Sequence, residues 1–445
     1  MKPDKPALDR RDFVKTTSAA SLGALLTSHG VGPLLARRPN EKLVVGVMGL
    51  NGRGLVLARG FAGAANSTVG ALCDVDSAVL DKARVTIAKL QETPPRAVAD
   101  IRRVLDDTSV DAIVIATPDH WQTPAAILAL RAGKHVYLEK PGSHNARETE
   151  LLVEAARRYK RHIQYGTQTR SAPHVAEIAQ SIREGLIGTP YLARAWYANT
   201  RTGIGKGKVA AVPATLDWEL WQGPAPRTPF RDNVVHYNWH WFRRWGTGEI
   251  CNNGTHEIDL GRLMLGVDYP RSVVSTGARF HFDDDWEFPD TQQATFEFDG
   301  GKSIIWQGQS CNGLQLYGRG RGTAVLGTAG SVVVDRDGYV VYDLKNAVVK
   351  ESAPRAKTDS LNTLADDPLT QLHIDNFVDV IRTGARLNAP IEEGAKTALL
   401  CHLGTVSHQS GRNLRIDHTN GHIVGDAEAA KLWSREYDPR WKPVV

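Results

Sequence analysis

Cysteine is scarce in this chain. Its 445 residues include four, Cys73, Cys251, Cys311 and Cys401, and no two of them form a C-x-x-C pair. That spacing gives neither a disulfide framework nor a zinc pattern, and small buried apolar roles are expected for all four. Surplus charge is equally limited. The formal net charge is +5, and residues 1–40 carry seven Lys/Arg against three Asp. Four of the five surplus charges therefore lie in the first forty residues, and the rest of the chain is near neutral. This removes the basic surface that a nucleic-acid binder needs. Long apolar runs are also missing. The mildly apolar segment 16–36 is interrupted by His29, Gly30, Gly32 and Pro33, so no stable membrane insertion is expected. No internal repeat or low-complexity stretch stands out. What remains is an ordinary globular composition, 42% hydrophobic and 23% charged, long enough for two or three domains.

The first forty residues read as a leader. Asp9-Arg10-Arg11-Asp12-Phe13-Val14-Lys15 places a twin arginine ahead of the Ala-, Ser-, Gly- and Leu-rich segment, the pattern of a twin-arginine export signal. Pro33-Leu34-Leu35-Ala36 is not an A-x-A cleavage sequence. Export by this route implies a periplasmic protein that folds before it is moved and carries any tightly bound cofactor with it.

From residue 41 strand and helix patterns alternate. Leu43 to Gly49 is a buried-strand run, followed by the turn Gly49-Leu50-Asn51-Gly52-Arg53-Gly54 and a helical pattern from Leu55 to Phe61. A glycine turn between strand and helix lets backbone N–H groups approach a pyrophosphate. Here Asn51 holds the second glycine position, and Asn tolerates a left-handed backbone. A second apolar run, Thr68 to Cys73, ends at Asp74, where a carboxylate accepts hydrogen bonds from the adenosine ribose and disfavours a 2′-phosphate. NAD is therefore favoured over NADP. Asp76 suits a helix N-cap. The next core strand, Val110 to Ala116, ends at Thr117-Pro118, with His120 close behind. The strand after it, Val136 to Leu138, stops at Glu139-Lys140-Pro141-Gly142. Taken alone, Lys140 is either a solvated strand-end lysine or a ligand-facing one, because open α/β sheets bind ligands at the carboxyl ends of their strands. Alternation at this pace implies a parallel sheet.

The run Gly46 to Gly54, Cys73-Asp74, Thr117-Pro118 and above all Glu139-Lys140-Pro141 resemble the Gfo/Idh/MocA oxidoreductases, the glucose–fructose oxidoreductase and inositol dehydrogenase family. The resemblance implies an N-terminal Rossmann-type domain (41–165), a C-terminal α+β domain with a large, mostly antiparallel sheet (166–425) and a tail (426–445). It also implies that Lys140 lies beside the nicotinamide of a bound NAD. Gln122 stands where many members carry a His. Gly166-Thr167-Gln168-Thr169-Arg170 resembles the entry to the substrate domain, which makes Gln168 a cofactor contact and Arg170 either a substrate contact or a plain surface residue.

In the second half, residues 200–235 form a long Gly- and Pro-rich loop with Trp218 and Trp221 embedded. Loops of this length are usually functional or disordered, and the two tryptophans suit sugar stacking or core packing. His236-Tyr237-Asn238-Trp239-His240 adds Tyr237 and His240 as a candidate substrate-binding or acid/base pair. If residues 249–265 form one helix, Asn252, His256 and Asp259 share a face. Asn252 and His256 match the family's DxxxH motif with Asn in place of Asp, so the resemblance makes His256 the proton acceptor, with Asn252 orienting it and a lowered histidine pKa, or Asp259 as the supporting carboxylate. His256-Glu257 is not HExxH, and no metal site is expected. Strands are expected at 273–282, 292–298, 302–307, 313–317, 322–326, 331–334 and 339–343, and helices at 367–383 and 391–410. The sheet resembles the homo-oligomer interface of relatives. The expected activity is hydride transfer between a tightly held NAD and a sugar or polyol hydroxyl. Redox-neutral glycoside hydrolysis on the same fold is the first alternative, and a non-catalytic sugar-binding protein the second.

Overall fold

Leu43–Met48 (β1) shows no in/out alternation because both of its faces are covered, as in a parallel sheet flanked by helices. It lies at the centre of a six-stranded sheet with Ser67–Cys73 (β2), Arg96–Val98 (β3), Ala112–Ile115 (β4), His135–Leu138 (β5) and Ile163–Tyr165 (β6), in the order β3-β2-β1-β4-β5-β6. All pairings are parallel. The strand order reverses between β1 and β4, and in such sheets the crevice outside the carboxyl ends at that point takes the ligand. The computed structural model describes residues 41–352 and 367–445; the expected twin-arginine leader lies outside them. No helix among the described residues is long and apolar enough to cross a membrane.

The second sheet is built from Pro190–Thr200 (β7), Ser272–Ala278 (β8), Thr291–Glu297 (β9), Ser303–Gln309 (β10), Cys311–Asn312 (β11), Arg321–Gly327 (β12), Ser331–Val334 (β13), Tyr339–Tyr342 (β14), Val348–Glu351 (β15) and Leu414–Arg415 (β16). Its order is β15-β14-β13-β12-β7-β10-β9-β8-β16, with β11 pairing the end of β7. Only β7 and β10 run parallel. Alternating burial along β9 and β10 shows one covered face and one open one. The helices Gly254–Leu265 and Ile391–Ser410 cover the closed face, with Phe296, Ile304, Trp306 and Leu400 in the shared core.

Three expected elements differ. The strand expected at 273–282 ends at Ala278, and residues 279–282 lie in the loop that follows. The strand expected at 313–317 stops at Asn312: Tyr317 and Gly318 take positive φ and Leu316 bridges Arg319 in a tight turn. The single helix expected at 249–265 is two, Gly248–Asn252 and Gly254–Leu265, joined at Asn253. Gly254 sits where a Cβ would be 3.2 Å from Trp306. The expected helices at 367–383 and 391–410 are found as Pro368–Thr383 and Ile391–Ser410.

The glycine turn after β1 is enforced sterically. Gly49 and Gly52 take positive φ, whereas Asn51 does not, so Asn51 is not asked to adopt the left-handed backbone expected of it. A Cβ on Gly54 would stand 1.6 Å from the Gly49 carbonyl oxygen. Gly54→Val is therefore expected to abolish dinucleotide binding and to lower the melting temperature by several degrees, measured by thermal denaturation and by the dinucleotide content of the purified protein.

Candidate active site

The carboxyl ends of β1, β4 and β5 open into a cleft of about 420 Å³. A smaller recess of about 90 Å³ continues from it toward the end of β2 and shares Asn51, Ala116, Thr117, His236 and Trp239 with it. Gly49, Asn51, Asp74, Thr117 and Pro118 line the recess. Gly52, Arg53, Glu139, Lys140, Gln168, Tyr237, His240, Asn252 and His256 line the cleft. Residues from both sheets thus share one space.

Two turns frame it and are tied together. Arg53, just past the glycine turn, donates from Nε to Glu139 Oε1 at 2.8 Å. Gln122, at the place expected for a His, donates from Nε2 to the carbonyls of Thr117 and Lys140 (3.1 and 3.4 Å) and accepts from Gly142 N at 2.7 Å. An amide can donate and accept at once, and here it fixes the ends of β4 and β5 relative to one another. Lys140 then extends to the second domain, donating from Nζ to the backbone oxygen (2.6 Å) and Oδ1 (2.9 Å) of Asn252. Asn252 therefore holds Lys140, not the His256 ring. The break in the helix at Asn253 turns Asn252 toward β5. Burial pulls the Lys140 ammonium below the ordinary lysine value, and Arg321 adds to this against Glu139, Asp119 and Glu249.

His256 is 4% exposed, and its Nδ1 has no partner among the described residues. Burial, reinforced by Arg321 and Lys140, holds it well below the ordinary histidine value, so the ring is neutral. His240 stacks on Trp239 at 3.6 Å, and its Nδ1 lies 2.6 Å from the Tyr237 carbonyl oxygen. A carbonyl only accepts, so Nδ1 carries the proton and Nε2 is an acceptor. Burial lowers this histidine to about 3.

Four expected site residues lie elsewhere. Arg170 and Asp259 bond each other at 2.6 and 2.9 Å, and Thr397 donates to the same carboxylate at 2.8 Å. Both side chains are buried, so neither lines the cleft, and Asp259 does not support His256. Trp218 stacks on Trp221 (4.8 Å) inside an apolar cluster with Phe230, Phe242 and Trp245. His120 is fully buried, with Nε2 2.9 Å from the Trp221 carbonyl oxygen. Each of the four spends its polar or aromatic surface on packing between elements.

Several cleft residues were not singled out in the sequence. Tyr197, Asn199 and Arg201 line it from the end of β7 and just beyond. Their period-two spacing on an alternating strand was the available signal. The Tyr197 hydroxyl accepts from Asn199 (2.6 Å) and Arg201 (3.1 Å), which leaves its own proton to donate. Arg201 also donates to Tyr237 OH (2.8 Å) and to Glu249 Oε2 (2.9 Å). Burial works against charge on Glu249, but Arg201, Asn253 and Ser310 hold it below the ordinary carboxylate range. The other unforeseen residue is Asp119, immediately after Thr117-Pro118. It is 3% exposed and accepts from Thr247 Oγ1 at 2.5 Å. Burial raises its carboxyl to about 7, against Thr247 and Lys140.

The raised value has a sign. Between the ordinary carboxylate value and about 7 the folded state holds a proton that the unfolded state has lost, so stability falls as pH rises through that window. Asp119→Asn removes an ionisation that costs the folded state up to ~4 kcal/mol. The melting temperature of this variant is expected to exceed that of the wild type most at about pH 8, by less near pH 5, and to match it only at or below the ordinary carboxylate value.

The segment after β7 walls the recess on one side, with Leu216, Trp221, His236 and Trp239 lining it. Ser77 N donates to Thr215 O and Asp217 N to Val75 O, both at 2.9 Å, while Trp121 Nε1 donates to the carbonyls of Leu220 and Trp221. His236 Nε2 lies 3.0 Å from Asp76 Oδ2. Large aromatic side chains, each contributing ~1.5–3 kcal/mol on burial, hold this strap without a sheet. The tail docks beside it: Trp441 packs edge-on against Trp121, Asp438 N donates to Pro224 O, and Tyr437 donates to Glu148 at 2.8 Å.

Thr117 Oγ1 and Gln168 Oε1 are buried with no partner among the described residues, and Gly49 leaves a cradle where a Cβ would be 2.8 Å from the Ala116 carbonyl oxygen. Asp74 is bonded by Leu50 N (2.7 Å) and Asp76 N (2.9 Å), and each carboxylate oxygen has a second lone pair to offer. These features fit a dinucleotide. Residues 43–167 match the family described as "Oxidoreductase family, NAD-binding Rossmann fold", and residues 173–337 match its C-terminal alpha/beta domain. The chain belongs to the Gfo/Idh/MocA oxidoreductase family. Among solved structures its fold is similar to an aldose-aldose oxidoreductase from Caulobacter crescentus complexed with glycerol (TM-score 0.64, 18% identity, covering 84% of this chain and 100% of that one). It is likewise similar to a levoglucosan dehydrogenase in complex with NADH and levoglucosan (TM-score 0.63, 19% identity, 84% and 99%). Among curated proteins it resembles a glycosyl hydrolase family 109 protein of Saccharopolyspora erythraea, 26% identical over 198 residues. That match spans 40% of this chain and only 43% of the relative. A Solibacter usitatus protein of the same description is 31% identical over 163 residues, spanning 34% and 37%.

Proposed function

We propose that this Gfo/Idh/MocA member oxidises a carbinol carbon of a sugar or polyol using a tightly held NAD. The observation that carries the proposal is the meeting of Lys140, from β5, and His256, from the second domain, in one cleft beside the glycine turn. Bound NAD would supply the acceptor for a hydride from the carbinol carbon. Gly49, Asn51, Gly52 and Arg53 would hold its pyrophosphate, Asp74 its adenosine ribose, and Thr117, Pro118, Glu139 and Gln168 its nicotinamide half; Gly54 serves by clearing the turn. The Asp74 carboxylate favours NAD over NADP.

The chain's own residues then manage the proton. Neutral His256 accepts it from the substrate hydroxyl. Lys140 has three N–H donors and gives two to Asn252; the third is available for the developing alkoxide. His240 Nε2, Tyr197, Tyr237, Asn199 and Arg201 offer both acceptors and donors to further hydroxyls. The division of labour runs from a dinucleotide half at 41–165 to a substrate half at 166–425, with the 426–445 tail bracing the strap.

The leader would export the folded protein to the periplasm, where no free nicotinamide pool exists, and the strap that walls the recess supports retention of the cofactor. The open sheet face, with Tyr191 and Val274 exposed, supports assembly into homo-oligomers. Similarity to glycosyl hydrolase family 109 proteins favours a second activity, in which transient oxidation labilises a glycosidic bond and the hydride is then restored. Free sugars and aryl glycosides separate the two. Oxidised sugar with matched cofactor reduction supports oxidoreduction. Aglycone release without net reduction supports hydrolysis. Sugar binding with neither product would identify a non-catalytic binding protein.

A further inference from the structure

Outside the cleft, one side-chain cluster combines three different metal-ligating chemistries. His281 lies in the loop after β8, Asp290 ends that loop, and Cys311 begins β11. One donor atom from each falls within 4.8 Å of the other two. His281 Nδ1 is 3.2 Å from Asp290 Oδ1. We propose that His281, Asp290 and Cys311 form a binding site for a borderline divalent cation of the zinc class.

The surroundings are arranged for it. Asp290 is 3% exposed, and its Oδ2 accepts from the backbone N–H groups of Phe280 (2.8 Å) and His281 (3.1 Å), while Thr291 donates to Oδ1 at 2.9 Å. Burial opposes its charge, but these donors hold the carboxyl below its ordinary range, so it is an anion. Cys311 is half-buried against Trp241, Trp286 and Phe288, which shields one side of the site, while His281 is exposed and leaves an entry path. Sulfur, nitrogen and oxygen donors in one small set suit Zn²⁺ better than Mg²⁺ or Ca²⁺, which take oxygen ligands. Three protein ligands leave the fourth tetrahedral position to water. On binding, the Cys311 S–H bond breaks, a sulfur–metal bond forms and the proton leaves to solvent; the His281 ring proton moves to Nε2; nothing is oxidised or reduced. The site is separate from the cofactor recess, but Ser310, the neighbour of Cys311, donates to Glu249 at 3.0 Å, so it abuts the wall that holds Arg201.

The test is a Co²⁺ titration of the untagged full-length protein. One equivalent per chain is expected, with a thiolate-to-cobalt absorption band that Zn²⁺ displaces. Cys311→Ser is expected to abolish the band, and His281→Ala to weaken binding roughly tenfold or more, since even loss of an outer partner costs that much. Absence of stoichiometric binding, or a band that persists in Cys311→Ser, overturns the proposal.

Discussion

Lys140→Ala is expected to lower turnover by ~10²–10⁴-fold while the protein still folds and holds its dinucleotide. The lysine sits at the carboxyl end of a buried strand, and its ammonium bridges to Asn252. Removing it takes away the charged donor proposed to meet the developing alkoxide and leaves the Asn252 oxygens facing an enlarged cleft that water can enter. The loss should fall on kcat, because the interaction is strongest where charge develops. Lys140→Arg is expected to rescue little, since a planar guanidinium cannot reproduce two short bonds to one residue and also aim a third at substrate. Because burial lowers the ammonium's pKa, the alkaline limb of the wild-type pH profile should lie below the ordinary lysine value, and it should vanish in Lys140→Ala.

His256→Ala is expected to cost a comparable ~10²–10⁴-fold through loss of the proton acceptor. The ring is held neutral by burial and by neighbouring cations, so it remains a competent base at a pH where a free histidine is already charged. The acid limb of the kcat profile should therefore fall below about 6.5. Added imidazole should partly restore His256→Ala and leave Lys140→Ala unchanged. A purely structural histidine would show no such rescue.

Much of this site was legible from the chain. The glycine turn, Asp74 and the Glu139-Lys140-Pro141 stop each sit at the end of an apolar run, and a parallel sheet brings strand ends together without further information. Local pattern could not show which polar side chains face inward to one another. Arg170 and Asp259 have the look of site residues, yet they neutralise each other beneath the cleft, a pairing 89 positions apart in sequence. Trp218 could equally stack on a sugar or on Trp221, and only the path of the strap decides it. Asn252 was expected to orient His256 from a continuous helix; the junction at Asn253 instead directs it to Lys140. Asp119 opens the helix that follows Thr117-Pro118, and its weakened acidity arises from burial that the sequence does not display. Tyr197, Asn199 and Arg201 were recoverable from strand alternation.

The central claim is that Lys140 and His256 jointly remove hydrogen from a sugar or polyol carbinol at a retained NAD. A single-turnover experiment tests it most directly. The purified holoprotein, with its dinucleotide content first established by mass, is mixed with a panel of free sugars and polyols while the absorbance of reduced nicotinamide is followed. The expected result is a rise toward one equivalent per chain with at least one compound in the wild type, and no rise in Lys140→Ala or His256→Ala carrying the same NAD. A full-amplitude rise at wild-type rate in either variant would contradict it, as would no rise with any compound in a wild-type protein that holds oxidised NAD.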